Sequence, residues 1–330
     1  MTKIAINGFG RIGRAAAKII LNSPDLELVA VNDLTDSKTL LFLLTHDTVY
    51  RSFEKEITFS DKEITIGKKK VHFFSEKDPE KLPWEALGID VVIESTGVFL
   101  TTELSKAHIR AGARKVVISA PAKDEQTPIY LLGVNEKEYQ GEEIISNASC
   151  TTNCIALVIK VLNDNFGVKQ SLMTTVHSYT ADQNLVDGPH KDLRRARAAA
   201  CNIVPTTTGA AKAVTKVIIE LDKKFDGLAI RVPTPVVSLS DIVAVLERSV
   251  TISDINAVFE NAAETDMKNI LATTSDPLVS SDLIGNPFSS IVDLSLTNVV
   301  GGNLVKVIAW YDNEWGYSNR LVEIAKLISR

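Results

Sequence analysis

Among three cysteines in 330 residues, Cys150 alone stands among residue types that suit a nucleophile. Ile144 and Ile145 before it read as the end of a buried strand. After it, Cys154, Ile155, Leu157, Val158, Val161 and Leu162 recur at helical spacing up to Gly167. Cys150 is therefore expected in the first turn of a helix. There the unpaired backbone N–H groups and the positive end of the helix dipole favour an anion, so the thiol should ionise more readily than a free cysteine. A thiolate attacks carbonyl carbon. Ser149, Thr151 and Thr152 offer hydroxyls and backbone donors to an oxyanion or a phosphate, or serve simply as helix caps. Cys154 and Cys201 lack this setting and read as small hydrophobes.

A base for the thiol follows. Residues 171–176 read as a strand whose alternation puts Met173, Thr175 and His177 on one face, near its end. Segment 178–202 has no clear periodicity and carries Thr180, Asp182, Gly188, Pro189, Lys191, Arg194, Arg195 and Arg197. A loop of this length is usually functional, and its cations suit phosphate groups or a subunit interface equally well. Thr206, Thr207, Thr208 and Gly209 precede a helix expected over 210–221, which offers a second helix start to an anion. Arg231 lies among apolar neighbours in an expected strand; its guanidinium needs an anionic partner, either a ligand or a structural carboxylate.

These groups need a scaffold, and the first third of the chain shows what else it holds. Ile4, Ala5 and Ile6 form a short apolar strand, followed by Gly8, Gly10 and Gly13 in a GxGxxG pattern and then a helical run over 15–21. The first glycine permits the turn, the second lets backbone approach a pyrophosphate, and the third lets helix pack on strand. A second strand ends at Asp33, whose carboxylate can accept hydrogen bonds from ribose hydroxyls and would repel a 2'-phosphate, so NAD is favoured over NADP. Residues 57–74 alternate apolar and polar as an antiparallel insertion, with Lys68, Lys69 and Lys70 at a solvated hairpin tip. Lys77 follows in a loop that could pass the adenine. Strands expected over 90–94 and 115–119, around a helix over 103–111, imply a parallel sheet with ligands at the strand C-terminal ends. Ser95, Thr96 and Ser119 sit at such ends and either touch the cofactor or cap the next turn.

The chain is thus expected to be α/β: a Rossmann-type parallel-sheet NAD-binding domain over 1–149, and an α+β catalytic domain over 150–315 with a mainly antiparallel sheet. A polar turn over 312–317 precedes a final amphipathic helix over 320–328, and segment 316–330 is expected to pack back on the first domain. An odd number of cysteines argues against a disulfide framework and for a reducing compartment. Lys+Arg 36 against Asp+Glu 41 disfavours nucleic acid as the primary partner. The early strand leaves no room for a signal peptide and no apolar run reaches membrane-spanning length, so a cytoplasmic location is expected. No metal site is expected.

Several long motifs occur together: NGFGRIGR at 7–14, SNASCTTNC at 146–154, TTVHSYT at 174–180, TTTGAAKAV at 206–214, RVPTP at 231–235 and WYDNEWGYSNR at 310–320. With them the chain resembles the phosphorylating glyceraldehyde-3-phosphate dehydrogenases along essentially its full length. The resemblance implies that Cys150 is the nucleophile, that His177 activates it, and that the enzyme is a homotetramer with segment 178–202 as interface and cofactor-lining loop. It implies one phosphate subsite formed by Thr180, Arg231 and the nicotinamide ribose region, with Asp182 supporting Thr180. The other would use Ser149, Thr151, Thr208, Gly209 and Arg195. Arg11 and Ile12 would hold the pyrophosphate, Lys77 and Ser119 would lie beside the cofactor, and Asn313 would hold the nicotinamide amide. Pro189, with Asp33 and Leu34, matches the NAD-preferring form. The chain departs from the family pattern at Thr45, His46 and Asp47, where many members have Lys, Tyr, Asp, and at Ile155, Ala156 and Leu157. Alternatives are an erythrose-4-phosphate dehydrogenase of similar fold, or a non-enzymatic binding role as a secondary activity.

Overall fold

Ile4, Ala5 and Ile6 lie in the strand Thr2–Asn7, fully buried at the middle of a sheet. The computed structural model describes every residue except Asp61, Lys62 and Lys68, and of Phe59, Ser60 and Glu63 only the backbone. Lys68 of the expected hairpin tip therefore lies outside the described residues. The chain divides into two units, one of Met1–Leu131, Glu136–Ala148 and Ser318–Arg330, the other of Leu132–Asn135 and Ser149–Tyr317.

In the first unit the sheet runs, in spatial order, Ile144–Ser146, Lys115–Ile118, Val91–Glu94, Thr2–Asn7, Leu26–Asn32, Lys69–Phe74, Glu63–Ile66 and Ile57–Ser60. The first six strands are parallel and the last two antiparallel. Residues 57–74 are thus not wholly an antiparallel insertion. Their last strand, with Lys69 and Lys70 in it, extends the parallel sheet by pairing Ala30 with His72. Strands buried on both faces read as continuous apolar runs, as Val91, Val92 and Ile93 do. The register sets Asn7 opposite both Asn32 and Glu94, so three polar residues meet where their strands end. Helix Arg11–Asn22 packs an Ala-rich face on the sheet. Its entry is tight: a Cβ on Gly13 would lie 2.2 Å from the Gly8 carbonyl oxygen, and Gly8 itself has φ +94°.

In the second unit the strands are ordered Val204–Thr206, Phe225–Val232, Val168–Ser178, Ser238–Leu246, Leu304–Tyr311, Ser290–Asp293 and Leu271–Thr274. Most neighbours are antiparallel, but Leu271–Thr274 runs parallel to Ser290–Asp293, and Val168–Ser178 runs parallel to Phe225–Val232, which sets His177 beside Arg231. Along Val168–Ser178, Ser171, Met173, Thr175 and His177 are buried while Leu172 is exposed. Helix Cys150–Phe166 lies on the buried face. The last helix begins at Trp315, five residues before the expected start. Asp312 explains the difference: its Oδ1 accepts from the Glu314 and Trp315 N–H groups at 2.9 and 2.8 Å, a capping role that apolar periodicity does not register. Among the described residues no helix is long and apolar enough to cross a membrane.

Gly13→Ala should lower stability by about 1–3 kcal/mol, because its methyl meets backbone that cannot rotate away; a shift of the denaturant midpoint at unchanged slope measures this.

Candidate active site

Ser149 caps the helix that starts at Cys150, its Oγ accepting from the Thr152 N–H at 3.1 Å. Ala148 just before it takes φ +51°, a left-handed conformation unusual for a residue with a Cβ. Cys150 Sγ lies 3.6 Å from His177 Nε2. His177 Nδ1 is 2.7 Å from the Ser178 carbonyl oxygen, which can only accept, so Nδ1 carries the hydrogen and the Nε2 lone pair faces the sulfur. Arg231 Nη1 stands 3.2 Å from Nδ1, but both are donors; the guanidinium donates instead to that same carbonyl at 3.2 Å and to Thr180 Oγ1 at 3.3 Å.

Burial pushes the Cys150 thiol up, against the pull of Arg231, the Thr151 hydroxyl and nearby amides. It pulls His177 down to about 3, with Arg231 adding to the effect. Both shifts favour the neutral thiol and neutral imidazole. At Cys150, which is half-buried, desolvation thus works against the pull of the helix start and of Arg231. The geometry allows the thiol to pass its proton to Nε2, which would leave an ion pair instead of a lone buried charge.

Arg231 finds no structural carboxylate: its partners are the two oxygens above, and its Nε–H is buried without an acceptor among the described residues. Thr180, Arg231 and His177 thus converge. Arg195 gathers a second group, donating to Thr206 Oγ1 at 3.0 Å and the Thr207 carbonyl at 3.1 Å, next to Thr208 and Gly209. Thr208 Oγ1 accepts from the Ala210 N–H at 3.2 Å, and a Cβ on Gly209 would meet open space. Asp182, expected to support Thr180, instead pairs with Arg195; Thr180 already accepts from Arg231. Thr151 does not point outward either, its hydroxyl bonding the Tyr311 hydroxyl at 2.9 Å. Asn313 is buried, its Oδ1 accepting from Ser238 Oγ at 3.0 Å.

In the first unit Gly8 packs so closely that a Cβ would lie 2.6 Å from Ser95 and Thr96 backbone, whereas one on Gly10 would meet nothing. Ser95 Oγ donates to the Gly8 carbonyl at 2.7 Å, and Thr96 bonds Glu94. The Ser119 N–H donates to the Glu94 carbonyl at 2.9 Å. Asp33 accepts from the Phe9 and Thr35 N–H groups at 2.7 and 2.9 Å. Arg11 pairs with Asp47 at 3.1 Å and lies over the Tyr50 ring, so the residue expected at the pyrophosphate is held by the one position of 45–47 that keeps the family's residue. Ile12 is half-buried at the helix start, and Lys77 is exposed in its loop.

Residues 2–102 match the family model described as the NAD binding domain of glyceraldehyde 3-phosphate dehydrogenase, and residues 149–313 match that of its C-terminal domain. The chain is 51% identical over 329 residues to glyceraldehyde-3-phosphate dehydrogenase of Geobacillus stearothermophilus, covering 99% of this chain and 98% of the relative. It is 52% identical over 330 residues to glyceraldehyde-3-phosphate dehydrogenase 1 of Bacillus subtilis strain 168, with the same coverage of each. The chain belongs to the glyceraldehyde-3-phosphate dehydrogenase family. It is an NAD-dependent oxidoreductase of that family; in its first unit the Gly10 position is open at a helix start, and the Asp33 carboxylate accepts two backbone N–H groups.

Two residues at this site, Thr175 and Tyr311, lie within the motifs quoted above but have no role there. Tyr311 is buried with its hydroxyl between Thr151 and Thr175, at 2.9 and 2.8 Å, and its ring sits edge-on to His177 at 6.0 Å. Thr175 is a face-mate of His177 in the TTVHSYT run, and Tyr311 is second in the WYDNEWGYSNR run at the end of strand Leu304–Tyr311, 136 residues after Thr175; residue order carries no sign that the two meet.

Because His177 is depressed in the folded state, the unfolded chain binds more protons between about pH 6.5 and 3, and stability falls as pH falls through that window. His177→Asn should remove a loss on the order of a few kcal/mol; denaturant titrations of both proteins at pH 7 and pH 4.5 measure the difference.

Proposed function

We propose that the chain oxidises D-glyceraldehyde 3-phosphate with NAD and inorganic phosphate to 1,3-bisphosphoglycerate, with Cys150 as nucleophile and His177 as base. The observation that carries this is the sulfur 3.6 Å from an imidazole nitrogen whose lone pair faces it. Sγ gives its proton to Nε2 and bonds the aldehyde carbon, while the carbonyl π pair moves to oxygen. The Cys150 N–H and the protonated His177 stabilise that oxygen, and proton return completes a thiohemiacetal. NAD, when bound, supplies the acceptor for the hydride lost at C1. His177 then takes the hydroxyl proton as the carbon becomes a thioester. A phosphate oxygen attacks the thioester carbonyl, the C–S bond breaks, and the sulfur leaves as thiolate with an acyl phosphate formed.

One phosphate group is assigned to Thr180 and Arg231, whose buried Nε–H wants an acceptor. The other is assigned to Arg195, Thr208, Gly209, Ser149 and Thr151, with Asp182 acting through Arg195. Fixing both groups makes the steps effectively intramolecular. For NAD, Gly8, Gly10, Arg11, Ile12 and Gly13 would hold the pyrophosphate and Asp33 the ribose. Lys77, Ser95, Thr96 and Ser119 would line the cofactor, and Asn313 would hold the nicotinamide amide.

A homotetramer is proposed as the working form. Support comes from Leu185, Val186 and Leu193 in the long loop, 79%, 70% and 81% exposed in one chain. The outer face of the second sheet adds a groove of about 780 Å³ that includes Leu172, Phe225, Val243 and Leu304. Three free thiols suit the cytoplasm.

Cys150→Ser should cut NADH formation from glyceraldehyde 3-phosphate, NAD and phosphate by about four orders of magnitude or more, with NAD binding retained; normal turnover would refute the nucleophile. Wild-type turnover without phosphate would point to hydrolysis in place of phosphorolysis. Asp33→Ala should raise the NADP to NAD ratio of kcat/KM about tenfold; equal wild-type values for the two cofactors would argue against the role given to Asp33.

A further inference from the structure

Beneath the nucleotide turn lies a buried polar cluster to which neither the motifs nor the chemistry assigns a task. Glu94 is 1% exposed at the end of its strand, and His108 is fully buried. Glu94 Oε1 accepts from the Thr96 N–H at 2.8 Å and from its hydroxyl at 2.5 Å. Glu94 Oε2 accepts from Asn7 Nδ2 at 2.6 Å and lies 3.1 Å from His108 Nε2. On the other side of the imidazole, Trp84 Nε1 lies 3.1 Å from Nδ1. An indole N–H only donates, so Nδ1 holds a lone pair and the ring hydrogen sits on Nε2, aimed at Glu94. Asn7 in turn accepts from Asn32 Nδ2 at 2.7 Å.

We infer that Glu94 is a positioning residue for NAD: its buried carboxylate, with the hydrogen that Trp84 keeps on His108 Nε2, sets the spacing between the Gly8 turn and the Ser95–Thr96 turn. An ionised carboxylate is costly to bury unless it is fully paired, and Val91, Val92 and Ile93 show that the strand itself is built from apolar residues. The acid stands where the strand gives way to the turn, and its donors come from both turns. Those turns are in direct contact: the Ser95 N–H donates to the Asn7 carbonyl at 2.7 Å, and Ser95 Oγ to the Gly8 carbonyl at 2.7 Å. With a Gly8 Cβ already forbidden by Ser95 and Thr96, the spacing has no slack, and a mismatch at Glu94 is passed to the backbone that meets the pyrophosphate.

The inference rests on the first unit being the NAD site and is independent of Cys150 and His177. The test is calorimetric titration of the full-length protein with NAD alone, beside steady-state kinetics. Glu94→Gln turns the Oε2 acceptor into a donor facing Asn7 and His108, so Kd and KM for NAD should rise about tenfold, with kcat at saturating NAD within about twofold of wild type. His108→Leu should also weaken NAD binding, whereas His108→Gln, able to donate to Glu94 and accept from Trp84, should restore it. The His108 pair decides the matter should Glu94→Gln not fold. A folded Glu94→Gln protein with wild-type NAD affinity, or His108→Leu and His108→Gln behaving alike, would overturn the inference. Wild-type protein that bound no NAD would instead overturn the cofactor assignment on which it stands.

Discussion

The hydroxyl of Tyr311 ties the first turn of the Cys150 helix to the strand that ends in His177. It bonds Thr151 on one and Thr175 on the other, all three side chains being buried. Each such bond contributes about 1 kcal/mol net, yet leaving one of these hydroxyls unpaired in the interior costs more. The gap between sulfur and imidazole is therefore held by packing and by a closed set of polar contacts, and the parallel register that pairs His177 with Arg231 adds the cation beside it. The role proposed for His177 depends on this arrangement, since a base displaced by an ångström no longer meets its proton.

Burial then sets the electrostatics. Burial of the imidazole and partial burial of the sulfur both favour neutral forms, and the Arg231 charge favours loss of the proton from each: toward thiolate at Cys150, away from imidazolium at His177. The site rests neutral, and charge appears in it as pairs. Arg231 itself is hydrogen-bonded to a carbonyl and a hydroxyl, with no carboxylate bonded to it among the described residues, which leaves a mostly buried cation suited to an anionic ligand. Arg195 differs: Asp182 and the Thr206–Thr207 turn already satisfy it, so an incoming anion there must replace an internal one.

The first unit applies the same physics to a cofactor. Three polar residues, Asn7, Asn32 and Glu94, end adjacent parallel strands and bond one another in place of solvent. Their network fixes turns whose outer surface is glycine and backbone, where a pyrophosphate can approach.

Local signals in the sequence determined much of this. The apolar run before three spaced glycines, the acid closing the second strand, the polar run around Cys150 and the period-two face of His177 are short-range patterns, and they pointed to the fold class and to the family. The sequence also marked Arg231 as a charge in need of a partner. Tertiary structure alone decided who met whom: Tyr311 with Thr151 and Thr175, Asp182 with Arg195 in place of Thr180, Glu94 with His108 and Trp84. It also set burial against the helix start at Cys150. The helix start is a local property legible in residue order, whereas desolvation depends on everything packed around the sulfur, and so do the tautomers that place each hydrogen.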